Sequence, residues 1–300
     1  MKTNHNISEK EFLQQYDINN FDRPSLTVDI LIFTILEEET KNYRKQASKS
    51  LNILLIKRKE HPFKDKWALP GGFVRIDEDL DTTAYRELKE ETNVSNVYLQ
   101  QLKTYGNINR DPRGRIVSTA YMSLIDAKSA NLKASTDAAD TKWFKVTSQL
   151  LNHKTLTKDQ HIIEVKNQEI TLVSDDITLK FVIKTEQETV DHHKTIKQTI
   201  VQNDGLAFDH PIMIQEGIKQ LRDNVEPTNI VFNLMPALFT LTELQSVYEI
   251  ILGKNLLKAN FRRKIAKKVI ETDEMSKEKA GHRPAKLYQF NPFWDKDIED

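Results

Sequence analysis

The first half of the chain carries short runs rich in Val, Ile and Leu, separated by polar segments. Runs of this length and composition are typical of buried β-strands. The predicted strands are residues 26–36, 51–56, 97–105, 116–125 and 142–146. One amphipathic helix, beginning near residue 80, interrupts the series. Strands with an embedded helix predict an α/β sandwich of helices and a mixed sheet.

The pattern is less clear between residues 150 and 203. Two apolar runs, residues 170–173 and 177–183, flank Ser174-Asp175-Asp176 and predict a β-hairpin. The polar run Lys184–Gln202 predicts a connector rather than a strand. We therefore expect a hairpin insertion at about residues 150–203, inside a first domain that spans residues 1–225.

Helical periodicity dominates after residue 208. Asp209 is a candidate N-cap, and Pro211 suits the first turn of the helix that follows. The apolar stripe of this helix is Ile214, Ile218, Leu221 and Val225. We expect the helix to close the first domain or to bridge to the second.

Residues 226–300 are predicted to form a second domain. Thr240 and Glu243 have the spacing of a capping box, which predicts a helix start, and Gly253 predicts its end. A second helix follows, with a predicted buried face of Leu257, Phe261, Ile265 and Val269. Two short helices joined by a tight turn, the second of them basic, indicate a helix-turn-helix. A polar turn at 275–281 and a strand at 284–290 predict a wing.

The second of these helices is strongly basic, because residues 253–270 contain seven Lys and Arg residues and no acidic one. Such a face binds a phosphate backbone by releasing counterions. Asn260, Arg262 and Arg263 are candidates for base edges, since Arg pairs with guanine and Asn with adenine. The predicted DNA-binding residues are Lys258, Asn260, Arg262, Arg263, Lys264, Lys267 and Arg283. The alternative is a solvated helix in a protein–protein module.

Composition limits the possible classes of protein. The length of 300 residues suggests about two domains. Lys plus Arg and Asp plus Glu each total 44, so the overall charge does not indicate a partner. There is no cysteine, which excludes disulfides, thiolate metal sites and cysteine nucleophiles. A polar N-terminus and the short length of every apolar run predict a cytoplasmic protein without a membrane span.

The chemistry centres on residues 72–94. The helix within this stretch places Glu87 and Glu91 on one face, with Glu90 three residues after Glu87. Ionised carboxylates held so close together repel one another unless a cation lies among them. Oxygen ligands suit a hard ion such as Mg²⁺ (or Mn²⁺), which takes its remaining ligands from water and substrate phosphates. Glu87, Glu90 and Glu91 are therefore the predicted metal ligands. The alternative is a solvated acidic helix face.

This stretch resembles the signature of the Nudix hydrolases: glycine, five residues, glutamate, seven residues, Arg-Glu-apolar-x-Glu-Glu, two residues, apolar. The matching residues are Gly72, Glu78, Arg86, Glu87, Leu88, Glu90, Glu91 and Val94. Asn93 replaces a family glycine, and Asn is the next-best residue for a left-handed backbone. The resemblance implies a Nudix α/β/α sandwich with a mixed sheet and catalytic residues Glu78, Arg86, Glu87, Glu90 and Glu91. Glu78 and Arg86 are expected to form an ion pair that orients the loop and the helix.

Candidate ligand-binding residues lie in two glycine-containing segments. The Pro-Gly-Gly run ending at Gly72 allows close approach of backbone to ligand. Arg110, Arg113 and Arg115 surround a Pro-Gly turn, and their planar donor groups suit phosphate or ribose oxygens. The alternative for these arginines is an exposed hairpin with solvated charges. Trp67 either stacks on a sugar or base or, as we favour, is buried.

The chain as a whole resembles the Nudix-related transcriptional regulators of NAD metabolism (NrtR), relatives of the ADP-ribose pyrophosphatases. The resemblance covers about residues 20–148 and 204–292 and also rests on the segments 110–115, 206–210, 260–264 and 281–285. It implies a homodimer that binds ADP-ribose in the Nudix domain and palindromic double-stranded DNA through a C-terminal winged helix-turn-helix domain. Intact acidic positions favour retained, Mg²⁺-dependent hydrolysis of ADP-ribose or a related nucleoside diphosphate derivative. The alternative is a repressor that binds such a ligand with little or no hydrolysis.

Overall fold

The computed structural model describes residues 7–38, 49–94, 97–126, 138–158, 161–276 and 284–295. The helices are α1 (Glu9–Gln15), α2 (Leu80–Thr92), α3 (His210–Val225), α4 (Leu241–Leu252) and α5 (Lys258–Ile265). The strands are β1 (Ser25–Glu37), β2 (Lys49–Arg58), β3 (Trp67–Ala68), β4 (Gly71–Phe73), β5 (Tyr98–Tyr105), β6 (Ile116–Leu124), β7 (Ala138–Lys158), β8 (His161–Ser174), β9 (Ile177–Val190), β10 (His193–Asn203), β11 (Val269–Met275) and β12 (Lys286–Phe290). None of these helices has the length and apolar character needed to cross a membrane.

A mixed sheet built around β1 organises the first half of the chain. The strand order is β10-β9-β8-β7-β2-β1-β6-β5, with β3 added beside β2 and β4 beside β1. β1 pairs in parallel with β6, whereas its pairs with β2 and β4 are antiparallel. The predicted mixed sheet is therefore confirmed.

Both faces of β1 are buried, which explains why successive residues from Ile30 to Phe33 are all apolar. Ile30 and Ile32 belong to a hydrophobic cluster with Leu88 of α2 on one face of the sheet. Leu31 and Phe33 belong to the larger cluster formed with α3 and α4 on the other face. The sheet thus lies between helices on both sides, as the predicted α/β/α sandwich requires.

The region between residues 150 and 203 differs most from the prediction. β7 continues to Lys158 instead of ending near residue 146, and β8, β9 and β10 follow it as an antiparallel meander. The hairpin at 170–183 is confirmed as the β8–β9 turn. The connector predicted for Lys184–Gln202 is wrong, because these residues form the end of β9 and most of β10. Many side chains there are exposed, so the strands lack the apolar alternation that would identify them.

The second half is a winged helix. α4 begins with the predicted capping box: the Glu243 N–H donates to Thr240 Oγ1 at 3.2 Å, and the Thr240 N–H donates to Glu243 Oε2 at 2.9 Å. A cap of this kind contributes about 1 kcal/mol. α5 follows, and β11 and β12 form the antiparallel wing. Phe261 is buried as predicted, but Leu257 is 74% exposed, because it precedes α5 and leaves its apolar face. The tip of the wing, residues 277–283, lies outside the described residues.

Helix α3 links the two halves. Its predicted apolar stripe is buried from Ile214 to Val225, and one hydrophobic cluster continues from the sheet through α3 into α4 and α5. Pro211 lies in the first turn, as predicted. Because the halves share a core, the domain boundary at residue 225 stays a prediction.

Candidate functional site

The ends of helix α2 are set by two local contacts. Asp79 Oδ1 accepts the backbone N–H of Thr82 at 2.7 Å, so Asp79 is the N-cap. The C-cap is Asn93, with a φ of +56° in the left-handed region, as predicted for the residue that replaces the family glycine. The departure from the Nudix pattern therefore leaves the helix end intact.

A cavity of about 490 Å³, called here the first cavity, opens beside α2. It is bounded by β1, β4, α2, the turn before β6 and the start of α3. Gly72, Arg86, Glu87, Glu90 and Glu91 all line it. Eleven of its described lining residues are Asp, Glu or Arg, with both signs represented. This composition suits a charged ligand together with a cation.

The ion pair predicted between Glu78 and Arg86 is present. Arg86 Nε and Nη2 donate to the two oxygens of Glu78 at 2.8 and 2.9 Å, a bidentate geometry. The hydroxyl of Thr83 donates to the same carboxylate at 3.0 Å. Hydrogen bonding by Arg86 lowers the pKa of Glu78 to about 2. A carboxylate this acidic is a poor proton acceptor, which supports the expected orienting role.

Glu87 lies directly over the backbone of Gly72. A Cβ at residue 72 would stand 2.1 Å from Glu87 Oε1, so a larger residue would displace the carboxylate. Arg86 Nη1 donates to the same oxygen at 2.5 Å. Burial raises the pKa of Glu87, although Arg86 acts in the opposite direction. The glycine therefore shapes a close-fitting cradle for a partly desolvated carboxylate.

The three predicted metal ligands differ in their surroundings. The Glu90 side chain is 48% exposed, and Glu91 is buried and accepts weakly from the Thr141 hydroxyl at 3.5 Å. Within the described residues no three Asp, Glu or His side chains form a preformed metal cage. Mg²⁺ in phosphate-binding sites takes only one or two carboxylates and completes its shell with water and phosphate. The residues therefore fit a divalent ion that is shared with a phosphate ligand.

Arg110, a predicted substrate-binding residue, is buried and held by carboxylates. Its Nε and Nη2 donate to Asp209 at 3.1 and 2.9 Å, and Nη2 lies 3.5 Å from Asp29 Oδ2. Burial lowers the pKa of Arg110, but the two carboxylates raise it by more. We infer a positioning role for this guanidinium. Asp209 occupies the N-cap position of α3 but makes no side-chain cap, contrary to the prediction, because its oxygens bind Arg110.

The other two arginines of the turn diverge. The Arg113 guanidinium lies 5.2 Å from the ring centre of Phe73 and 5.7 Å from that of Phe208, within cation–π range, and it lines the first cavity. Arg115 is exposed and donates to the carbonyl of Gly106 at 2.7 Å. It is not among the described residues that line the first cavity. Arg113 therefore stays a candidate ligand-binding residue, whereas Arg115 fits the alternative of a solvated hairpin charge.

Two residues that are not among the predicted site residues, Asp29 and His210, meet at the first cavity. The Leu69 N–H donates to His210 Nδ1 at 2.9 Å, which leaves the proton of the neutral ring on Nε2. His210 Nε2 lies 3.3 Å from Asp29 Oδ1, and the Ser118 hydroxyl donates to Asp29 Oδ2. Burial raises the pKa of Asp29, but His210, Arg110 and Ser118 together lower it below its ordinary value. Asp29 is thus ionised and holds its neighbours in place.

Only one of these two residues has a usable signal in the sequence. Asp29 interrupts an apolar strand, and a buried carboxylate requires a partner. The contact of His210 with Leu69 joins residues 141 positions apart, which no local pattern reveals.

The alternatives for Trp67 are decided in favour of burial. Its ring is 5% exposed and lies edge-on to Phe144, with the ring centres 4.8 Å apart.

Helix α5 presents most of the predicted DNA-binding side chains to solvent. The exposed members are Lys258, Asn260, Arg262, Arg263 and Lys264 of α5, and Lys267, which follows the helix. Arg263 Nη2 donates to Asn260 Oδ1 at 3.4 Å, so two candidates for base edges lie together. Arg283 lies outside the described residues.

Two lysines of the winged helix, the exposed Lys264 and the buried Lys268, contact the end of α3. Lys264 Nζ lies 2.6 Å from Glu226 Oε2. Lys268 is buried, contrary to its predicted place on the basic face, and its Nζ donates to the carbonyls of Glu226 and Thr228 at 2.8 and 2.5 Å. A cation is favourable there because a helix C-terminus carries partial negative charge. α3 therefore reaches from the first cavity to the recognition helix.

Comparisons with known proteins agree with both halves. A model of the NUDIX domain matches residues 28–164, and a model of the NrtR DNA-binding winged helix domain matches residues 231–290. The ADPR responsive transcriptional repressor NtrR of Acinetobacter baylyi is 35% identical over 286 residues, covering 94% of this chain and 88% of the relative. An ADP-ribose pyrophosphatase of Methanocaldococcus jannaschii is 33% identical over 156 residues, covering 51% of this chain and 81% of the relative.

A solved structure is similar along most of the chain. The crystal structure of Shewanella oneidensis NrtR complexed with a 27mer DNA has a TM-score of 0.55 and 28% sequence identity. The similarity covers 90% of this chain and 94% of the solved one. Since the likeness to the Acinetobacter repressor extends over nearly the whole of both chains, this protein belongs to the NrtR family of Nudix-related transcriptional regulators.

Proposed function

We propose that this protein is a DNA-binding regulator that responds to ADP-ribose, or to a closely related nucleoside diphosphate derivative, bound with Mg²⁺ in the first cavity. One observation carries the proposal: a single chain joins a cavity lined by the intact Nudix carboxylates to a winged helix with a basic recognition helix. The relative that is similar across both halves is named for its response to ADPR.

The first cavity has groups for each part of a diphosphate ligand. Glu87, Glu90 and Glu91 would hold Mg²⁺, which offsets the charge of a diphosphate and acidifies water. Arg86, fixed by Glu78, keeps Glu87 over Gly72. Arg113 lies in cation–π range of two aromatic rings, and its Nε and Nη2 donate to Asp111. Its Nη1 would donate to phosphate or ribose oxygens.

We further infer that the protein hydrolyses ADP-ribose, since every acidic Nudix position is present and the Glu78–Arg86 pair is formed. Incubation with ADP-ribose and Mg²⁺ should release AMP and ribose 5-phosphate.

The second candidate is a repressor that binds the ligand with little or no turnover. The contact of Glu87 with Arg86 favours this candidate. Among the described residues, the Nudix carboxylates do not already surround a common position that a metal ion could occupy. Mg²⁺-dependent binding without product would select that candidate.

The regulatory role is tested by measuring binding to a palindromic duplex at two salt concentrations, with and without ADP-ribose. We expect the full-length protein to bind as a homodimer and ADP-ribose to weaken binding at least tenfold. By linkage, the duplex must then weaken ADP-ribose binding by the same factor. An affinity for the duplex that ADP-ribose does not change would contradict the proposed response.

Two lysines of α5 provide a matched test of the DNA-binding face. Lys258 is exposed, with no carboxylate in ion-pair distance among the described residues, whereas Lys264 is already paired with Glu226. A plot of log affinity against log salt concentration has a negative slope. Lys258→Ala is expected to make this slope shallower by about 0.9, the value for one lost phosphate contact. Lys264→Ala should change it less. Equal slopes for Lys258→Ala and the wild type would remove Lys258 from the interface.

A further inference from the structure

Residues 7–24, called here the N-terminal arm, form regular structure without a surrounding core. The arm contains α1, which starts with a complete capping box between Ser8 and Glu11, and a 3₁₀ turn at Ile18–Asn20. Every residue from 7 to 26 is exposed. In the part of the chain that the structure describes, the hydrogen bonds and ring contacts of the arm join its residues only to one another. A helix of seven residues is too short to be stable alone in water, so the arm requires a surface that covers it.

The arm carries a continuous apolar patch. Tyr16 lies between two other rings, with its ring centre 5.8 Å from that of Phe12 and 5.9 Å from that of Phe21. Six large apolar side chains of the arm are between 37% and 62% exposed: Ile7, Phe12, Leu13, Tyr16, Ile18 and Phe21. Exposed apolar side chains that are grouped in this way, rather than scattered singly, mark an interaction site.

The charge of the arm excludes two classes of partner. The arm contains four acidic and two basic residues, which give it a net charge of −2. Nucleic acids and anionic lipid surfaces bind segments rich in Lys and Arg, and they repel a negative segment. The surface that covers the patch is therefore a protein surface.

A second copy of this chain matches the size of the patch. A large apolar side chain buries roughly 150 Å² when it is fully covered, so six that are about half exposed offer on the order of 400 Å² per arm. The partner loses a similar area to the contact, and a two-fold axis makes the contact twice. The total is on the order of 1,600 Å², which is the size of a standard stable interface.

We propose that the N-terminal arm of each protomer packs against the body of its partner in a homodimer. This contact rests on the proposed function, in which two recognition helices form a symmetric pair on a palindromic duplex. Because the exchange is reciprocal, both apolar patches are covered and both copies of α1 gain tertiary support. The arm is thus the element that joins the two protomers.

The first test uses the absence of cysteine from the chain, because a single introduced thiol then reports on one position. Leu13 and Ile196 are matched, since each is 62% exposed in one chain, and Ile196 lies on the edge strand β10, remote from β1 in the sheet order. Maleimide labelling of full-length Leu13→Cys and Ile196→Cys is followed below and above the dimer dissociation constant measured by sedimentation. We expect Leu13→Cys to react about tenfold more slowly in the dimer than in the monomer, by mass action, and Ile196→Cys to react equally in both. Equal rates for the two thiols in the dimer would overturn the proposal.

The second test places a charge in the patch. Phe12→Glu alters a half-exposed side chain and no buried one, so circular dichroism should match that of the wild type. In sedimentation without DNA or ADP-ribose, we expect it to raise the dimer dissociation constant about tenfold or more, the effect of losing a central aromatic contact. Ile196→Glu is the matched control and should dimerise like the wild type.

A wild-type protein that is monomeric at micromolar concentration, or a Phe12→Glu variant that dimerises as tightly as the wild type, would overturn the proposal. If Phe12→Glu fails to fold, the labelling of Leu13→Cys still decides the question. Neither ligand is present in the sedimentation measurement. A dimer whose affinity for DNA is unchanged by ADP-ribose would therefore contradict the proposed response and leave the arm contact intact.

Discussion

Glu91→Gln is expected to lower the turnover of ADP-ribose by roughly 100-fold or more, the scale on which removal of one electrostatic contact acts in active sites. Glu91 is buried beside Glu87 on α2, and the amide preserves its volume while removing the charge that would hold Mg²⁺. The measurement is the rate of AMP formation at saturating Mg²⁺. Thermal unfolding should be nearly unchanged, because the substitution adds no bulk to the core.

Glu188→Gln is the matched control for this prediction, since Glu188 is an exposed glutamate on β9, remote from α2 in the sheet order. It should leave turnover unaltered. Wild-type rates in Glu91→Gln would remove Glu91 from the metal site. If the wild type binds ADP-ribose without turnover, the same comparison applies to the Mg²⁺-dependent part of its affinity.

Arg110→Leu is expected to destabilise the protein by about 3 kcal/mol, because it leaves two largely buried carboxylates without their cation. Asp29 and Asp209 both lose a contact to Nη2. Urea unfolding followed by tryptophan fluorescence measures the effect, since Trp67 is buried in the same sheet. Arg115→Leu is the control. It removes an exposed arginine of the same turn and should change stability by less than about 0.5 kcal/mol.

The sign of the pH dependence provides a second check on this pair. Although burial raises the pKa of Asp29, His210 and Arg110 lower it by more, so the folded-state pKa lies below the ordinary value of about 3.9. The stabilisation is therefore present above that ordinary value and is lost as the pH falls through the folded-state pKa. The difference between wild type and Arg110→Leu should shrink at acid pH. A difference that stayed constant down to pH 2 would show that Asp29 is not the group stabilised by Arg110.

Features that depend on neighbouring residues could be predicted from the sequence. The N-cap at Asp79, the left-handed Asn93 and the capping box at Thr240 each involve contacts within four residues. The Glu78–Arg86 pair was also predictable, because the loop and helix that join these residues have a recognisable spacing. The acidic helix and the basic recognition helix follow from periods of three and four residues. These elements are determined by contacts between residues that are close in the sequence, so they do not depend on the rest of the fold.

The partners of buried charges could not be predicted in this way. Arginine is a residue type that commonly binds phosphate, yet the Arg110 guanidinium donates to Asp209 and Asp29 instead. These partners lie 99 positions after it and 81 positions before it in the sequence. Lys268 follows the basic helix in sequence but is buried against the end of α3. The polar second half of β9 and all of β10 were missed for a related reason: their pairing, rather than an apolar pattern, determines that they are strands.

The sequence alone identified the candidate residues for cation binding and for DNA contact, and it predicted where the helices that carry them begin and end. Only the tertiary structure decided which of those charged side chains are paired with one another and which remain accessible to a ligand or to DNA. The physical reason is that a buried charge is stable only beside an opposite one, and the sheet, not the chain order, sets which charges meet.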